Sequence, residues 1–136
     1  MGRILGIDYG SKRCGIAVSD PTQLIAAALT TVGSHELMVY LENYFMSEKV
    51  DKVVVGKATN LMNQPSDSFL LAERFVAAFK KRFPEIEVYW EDERYTSKMA
   101  LDAMVSGGMK KKDRRKKENL DRISAAIILQ SFLDRR

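Results

Sequence analysis

The chain has 136 residues, of which 46% are hydrophobic and 29% charged, and its formal net charge is +4. These values are typical of a soluble globular protein, and we expect residues 1–136 to form one domain with a substantial core. No apolar stretch approaches the roughly 20 residues that a membrane span requires, and the N-terminus does not resemble a signal peptide. We therefore expect neither membrane insertion nor export.

The single cysteine, Cys14, cannot form an internal disulfide, and it lies in an apolar, strand-like run. This usage is typical of a reduced cytoplasmic setting. We interpret Cys14 as a small core residue rather than a nucleophile.

Positive charge is concentrated in one segment, KKKDRRKK at residues 110–117, which holds seven basic residues and one acidic residue. The rest of the chain then has 15 basic against 17 acidic residues. A local basic segment on a mildly acidic body favours a polyanionic partner.

The predicted elements begin with three strands, at residues 3–8, 14–19 and 23–32. A turn at residues 9–13 joins the first two, and the short connections favour an antiparallel meander. The order continues with a helix over 34–49 capped by Ser34, a strand over 52–56, a helix over 66–82, a strand over 86–90, a short helix from Thr96 or Ser97 to Gly107, and a helix over 119–133.

The order βββαβαβαα implies hairpins in the first half of the chain and parallel crossovers in the second half. We predict an α/β fold with a five-stranded mixed sheet flanked by helices.

Acidic residues occur at three places that this topology brings to one edge of the sheet. Asp8 ends the first strand, Glu91, Asp92 and Glu93 follow the last strand, and Asp121 lies in the first turn of the final helix. Ligands gather at the carboxyl ends of parallel strands, and closely spaced carboxylates need a cation to be tolerated. Oxygen ligands select Mg²⁺ or Mn²⁺.

This chemistry is that of a metal-dependent nuclease. Two divalent ions about 4 Å apart stabilise the attacking and leaving oxygens of a phosphodiester displacement. The cations beside the carboxylates, Lys12, Arg13 and Arg94, could then hold phosphates.

Each of these residues also has a purely structural interpretation. Asp8 could be a turn residue before Tyr9-Gly10, and Asp20-Pro21 favours turn chemistry over catalysis. Asp92 and Glu93 could be solvated, and Asp121 could only favour the helix N-terminus electrostatically. The basic run could be a solvated loop.

Strand parity places Ile4, Gly6 and Asp8 on one face of the first strand. We interpret Gly6 as leaving room beside the carboxylate. Gly10 permits the tight return that brings Lys12 and Arg13 back toward Asp8.

Four motifs in this order, GIDYGSKRCGIAVSD, VVVG, DERYTS and LDRISAAIILQSFL, resemble the YqgF/RuvX family over essentially the whole chain. Its members are ribonuclease H-like proteins described as candidate pre-16S rRNA nucleases or candidate Holliday-junction resolvases. The resemblance implies a ribonuclease H-like fold and a metal-dependent acidic triad. The family's carboxylates fall on Asp8, on Glu93 (with Asp92 as the adjacent alternative) and on Asp121.

The resemblance therefore implies Mg²⁺ or Mn²⁺ as cofactor and nucleic acid as partner: structured RNA such as precursor rRNA, or branched DNA. The residues that we expect to contact nucleic acid are the basic ones near the carboxylates and in the basic run: Lys12, Arg13, Arg94, Lys110, Lys111, Lys112, Arg114 and Arg115. After VVVG the family usually continues Leu-Pro-Leu-Asn, whereas this chain has Lys57-Ala58-Thr59-Asn60. Substrate preference is therefore open at this loop.

The leading hypothesis is a nuclease that matures the 5′ side of precursor 16S rRNA in the cytoplasm. The alternatives are a junction-resolving DNA endonuclease, which would have to be a dimer, and a non-catalytic nucleic-acid-binding module. An ATP-binding lobe of the actin and Hsp70 type shares the first motif, but it needs two lobes. The sequence leaves open whether the protein is a monomer or a homodimer.

Overall fold

The computed structural model describes residues 2–57, 67–92 and 117–136, and for residues 67–68 and 117–122 it describes the backbone only. The strands are β1 (Arg3–Tyr9), β2 (Arg13–Ser19), β3 (Ala26–Gly33), β4 (Val50–Lys57) and β5 (Glu87–Asp92). The helices are α1 (Leu37–Ser47), α2 (Asp67–Arg82) and α3 (Lys117–Arg135), and a short 3₁₀ turn at Ser34–Glu36 precedes α1.

The five strands form one sheet in the order β3-β2-β1-β4-β5. Pairing is antiparallel between β1 and β2 and between β2 and β3. It is parallel between β1 and β4 and between β4 and β5. The predicted five-stranded mixed sheet of an α/β fold is confirmed.

Alternation along the strands divides the core between two faces of the sheet. Leu5 and Ile7 of β1 pack with α1 and α2, whereas Ile4 packs with α3. Cys14 is fully buried in the first of these two clusters, as the sequence predicts for a core cysteine. Asp8 shares the parity of Ile4, so it lies on the α3 face.

Helix α3 approaches β1 very closely at Gly6. A Cβ atom at Gly6 would lie 2.7 Å from Cβ of Leu129 and 3.0 Å from the carbonyl oxygen of Ala125. The absent side chain of Gly6 therefore admits the helix backbone, which corrects our interpretation that it leaves room beside Asp8.

The first helix is shorter than predicted, and Ser34 is not its cap. α1 begins at Leu37 and ends at Ser47. The N-cap positions are Gly33 for the 3₁₀ turn and Glu36 for α1, and neither position has a side-chain cap hydrogen bond. The hydroxyl of Ser34 instead donates to the carbonyl of Gly10, 2.6 Å away. A long-range partner thus replaces the local one that the sequence suggested.

Strand β3 begins at Ala26 rather than at Gln23, because residues 20–25 form a tight turn. Gln23 has a positive φ of 61°.

The predicted helix after Thr96 or Ser97 and the basic residues 110–116 lie outside the described residues. None of the described helices is long and apolar enough to cross a membrane.

Replacing Gly6 with Ala should push α3 away from the sheet and lower the free energy of unfolding by about 1–3 kcal/mol, the usual cost of overpacking a core. Urea denaturation of the two proteins measures this difference.

Gly33→Ala is the matched control. The nearest atom to a Cβ there belongs to the exposed side chain of His35, at 3.1 Å, and it can move aside. Equal stability of the Gly6→Ala variant and the wild type would contradict the close approach.

Candidate active site

Asp8 lies at the carboxyl end of β1, half-buried, with a glycine on each side of it in the sheet. Asp8 pairs with Gly15 of β2. On the other side Ile7 pairs with Val55 of β4, so the next position, Gly56, lies beside Asp8. No side chain from either adjacent strand position therefore occupies the space next to this carboxylate on the α3 face.

The turn after β1 brings two cations to the same end of the strand. Tyr9 pairs with Cys14, so the chain reverses over Gly10, Ser11, Lys12 and Arg13. A Cβ atom at Gly10 would lie 2.5 Å from the carbonyl oxygen of Arg13, so only glycine fits this return. Lys12 is exposed and Arg13 is half-buried.

Tyr9 lies next to Asp8 but on the opposite face. Its ring stacks on Phe75 of α2, with 5.5 Å between ring centroids. Burial, and secondarily the nearby Cys14, raises the pKa of the Tyr9 phenol. Tyr9 therefore stays neutral at physiological pH and anchors the end of β1 to α2.

The end of β5 presents two carboxylates to opposite faces of the sheet. Tyr89 contacts Phe132 of α3, and Glu91 has the same parity, so Glu91 lies on the α3 face. Glu91 is 5% exposed, and one of its oxygens accepts a hydrogen bond from Arg135. Within the described part of the chain, Oε2 of Glu91 is buried without a hydrogen-bond partner.

Asp92 lies on the other face. Its partner in β4 is Lys57, whose ammonium group lies over the ring of Phe69 in α2, 5.5 Å from the centroid. Phe69 in turn packs edge-on against Trp90. Asp92 thus shares the α2 face with Trp90, whereas Asp8 lies on the α3 face.

The backbone of α3 runs toward the end of β1 that carries Asp8. Gln23 donates from Nε2 to the carbonyl of Gly2 (2.6 Å), and Arg136 donates from Nη1 to Oε1 of Gln23 (2.9 Å). The C-terminus of α3 is therefore at the amino end of β1, and the helix runs back toward its carboxyl end. The first turn of α3, which contains position 121, is therefore directed toward the carboxyl end of β1.

Asp8, Lys12 and Arg13 thus lie together at one edge of the sheet, and the N-terminal end of α3 is directed toward this edge. Glu93, Arg94 and the basic residues 110–115 lie outside the described residues, as does the side chain of Asp121. No group of three or more His, Cys, Asp or Glu side chains within the described ranges could hold a metal ion. The acidic triad stays a prediction.

Glu91 is a buried carboxylate on this face to which sequence reasoning gave no role. It appeared only as one of three consecutive acidic residues after the last strand, and the resemblance then favoured Glu93, with Asp92 as the alternative. The signal that distinguishes it is parity: Trp90 is an obvious core residue, so its neighbours on both sides belong to the opposite face.

The fold is that of a ribonuclease H-like protein. It is similar to a solved structure of Thermus thermophilus RuvC, with a TM-score of 0.55 and 18% identity over 97% of this chain and 96% of that one. A structure titled as T. thermophilus RuvC in complex with a Holliday junction substrate gives a TM-score of 0.54 and 20% identity, covering 94% of this chain and 92% of that one.

The chain belongs to the RuvX family: a family model described as "RuvX: Holliday junction resolvase" matches residues 2–135. A relative from Christiangramia forsetii is 50% identical over 98% of both chains. One from Flavobacterium psychrophilum is 47% identical over 100% of this chain and 99% of its own length. Both carry the name "Putative pre-16S rRNA nuclease". The family is one of nucleases, and the predicted resemblance is confirmed.

Asp20 has a structural role, as its position before Pro21 suggested. Its Oδ1 accepts hydrogen bonds from the backbone N–H groups of Leu24 (2.8 Å) and Ile25 (2.9 Å). The N–H of Ile25, the hydroxyl of Thr22 and the N–H of Leu24 lower the pKa of the Asp20 carboxyl far below its usual value.

Because the folded-state pKa of Asp20 is lowered, its ionised form contributes stability above the unfolded value of 3.8, and that contribution disappears as the pH falls below it. The stability gap between wild type and Asp20→Asn should be largest above about pH 5 and should narrow in more acidic solution. Urea denaturation of both proteins across this range measures the gap, and a constant gap would show that Asp20 does not titrate with folding.

Proposed function

We propose that this protein is a metal-dependent nuclease that cleaves structured RNA, with the 5′ side of precursor 16S rRNA as its substrate. The observation that carries the proposal is the placement of Asp8 between Gly15 and Gly56, next to the basic turn. The N-terminal end of α3 is directed toward this same end of the sheet. The names of the relatives support the substrate. We treat residues 1–136 as one nuclease domain acting in the cytoplasm.

The donor chemistry at this edge fits Mg²⁺ or Mn²⁺. The carboxylates are oxygen ligands, which hard divalent cations prefer. The imidazole of His35 is exposed and lies 3.5 Å from the carboxylate of Glu36, and Cys14 is buried on the opposite face of the sheet from Asp8. The unpartnered Oε2 of Glu91 on the Asp8 face is a further acceptor that a hydrated cation would satisfy.

Asp8, Glu93 and Asp121 are the residues that we propose to hold the metal. Glu93 is favoured over Asp92 because Asp92 lies on the α2 face, away from Asp8. When bound, divalent ions would polarise the scissile phosphate and lower the pKa of the attacking water.

The basic residues would bind and orient the substrate. Lys12 and Arg13 follow Asp8 through a tight turn, and Arg94 follows Glu93 in the sequence. Guanidinium and ammonium groups at these positions can bind the phosphates that flank the cleaved bond. The basic run, with Lys110, Lys111, Lys112, Arg114 and Arg115, would extend this contact along the backbone.

Asp8→Asn should abolish most cleavage while leaving the fold intact. Removing one carboxylate charge from the metal site costs several kcal/mol of transition-state stabilisation, so cleavage of a precursor rRNA fragment should fall at least about 100-fold. The assay compares both proteins with Mg²⁺ and with EDTA. Equal cleavage by wild type and variant would exclude Asp8 as a metal ligand.

Replacing Lys110, Lys111 and Lys112 together with Ser should weaken RNA binding regardless of sequence. Each lost phosphate contact should lower the slope of log affinity against log salt by about 0.7 for single-stranded RNA. Binding titrations at several salt concentrations measure the slope. An unchanged slope would show that the run is a solvated segment.

The description of the matched family model favours a second candidate, a Holliday-junction-resolving endonuclease. Symmetric cleavage of a four-way junction needs two active sites, and therefore a dimer. Analytical ultracentrifugation with a synthetic junction gives the oligomeric state, and cleavage assays on the junction and on RNA give the activity. A monomer that cleaves RNA but not the junction supports the RNA nuclease. Retained RNA binding without cleavage under any divalent metal would instead indicate a non-catalytic binding module.

A further inference from the structure

The basic turn at residues 10–13 is held by a residue from a different part of the chain. The hydroxyl of Ser34 donates to the carbonyl of Gly10 over 2.6 Å, and the backbone N–H of Ser34 donates to the carbonyl of Lys12 over 3.0 Å. Ser34 thus binds the turn at two carbonyls, one on each side of Ser11.

The hydroxyl of Ser34 also contacts the thiol of Cys14. The thiol of Cys14 lies 3.7 Å from Oγ of Ser34, within the distance of a sulfur hydrogen bond, and Cys14 is fully buried. Gly33, the last residue of β3, pairs with Arg13, the first residue of β2. Ser34 is therefore itself well positioned, by the sheet on one side and by the core on the other.

These contacts affect the geometry of the two cations. A four-residue return can adopt several conformations, and long Lys and Arg side chains lose considerable freedom when they bind phosphate. Hydrogen bonds to the carbonyls of Gly10 and Lys12 select one backbone conformation of the turn. This conformation sets the position of the Cα and Cβ atoms of Lys12 and Arg13. A turn that is already ordered binds its ligand with a smaller entropic cost.

We propose that Ser34 is a positioning residue for substrate binding, which holds Lys12 and Arg13 in register with Asp8 to receive a backbone phosphate of the nucleic acid. This role rests on the proposed nuclease function. Ser34 acts through the turn and does not itself contact the substrate.

Ser34→Ala should weaken binding of a precursor rRNA fragment about 5-fold, or about 1 kcal/mol at 1.4 kcal/mol per tenfold. KM should rise by a similar factor with kcat changed less than about 2-fold, because the turn contributes to binding. The salt slope of binding should also become shallower, since a mobile turn contacts phosphate less completely. Ser34→Thr keeps the hydroxyl and should restore all three values.

Ser47→Ala is the matched control. The hydroxyl of Ser47 also donates to a backbone carbonyl, that of Tyr44 at 3.2 Å, but at the exposed end of α1. Its variant should bind and cleave as the wild type does. Circular dichroism at the assay temperature establishes that each variant is folded.

A double-mutant cycle with Lys12→Ser tests whether Ser34 acts through the turn. If it does, Ser34→Ala should have clearly less effect on RNA affinity in the Lys12→Ser protein than in the wild type. Full additivity of the two substitutions' effects on RNA affinity would overturn the positioning role. A lower kcat of Ser34→Ala with unchanged KM and unchanged salt slope would also overturn it.

Binding is measured in the Asp8→Asn background, so that cleavage does not interfere. Failure of Asp8→Asn protein to bind the RNA would overturn the proposed substrate, and the role of Ser34 with it. Binding by Asp8→Asn that Ser34→Ala leaves unchanged would overturn the role of Ser34 alone.

Discussion

The close approach of α3 to β1 at Gly6 is the constraint on which the rest of the site depends. Helix and strand backbones come so near that no side chain fits between them, and a Cβ atom at Gly6 would clash with Leu129. Ile4 and Val54 pack with Ile128 around this contact. The contact fixes how α3 lies on the sheet, with its N-terminal end directed toward the end of β1 that carries Asp8.

Glycine serves three separate purposes within a few residues of Asp8. Gly6 admits a helix, Gly10 permits a return that no larger residue fits, and Gly15 and Gly56 occupy the strand positions on either side of Asp8. Glu91, the other carboxylate on this face of the sheet, is buried and forms an ion pair with Arg135.

Much of the fold was predictable because it follows from periodicity. Alternating residues in β5, consecutive valines in β4 and helical spacing in α2 each report burial on a local scale, and the number and order of these elements then determine the sheet. The position of Asp8 at a strand end follows from the same reasoning. Ser34 was misinterpreted because a serine before an apolar helical pattern has the local signature of a cap, whereas its partner, Gly10, is distant in the chain.

The class of fold, the carboxylate at the end of β1 and the basic turn that follows it can all be predicted from the sequence alone. The tertiary structure was needed to show that Gly6 receives α3, that Ser34 holds the basic turn, and that the face shared by Asp8 and Glu91 is the one that α3 covers. The reason is physical. Strand and helix periods specify which residues share a face, but which element covers that face depends on contacts between segments far apart in the chain.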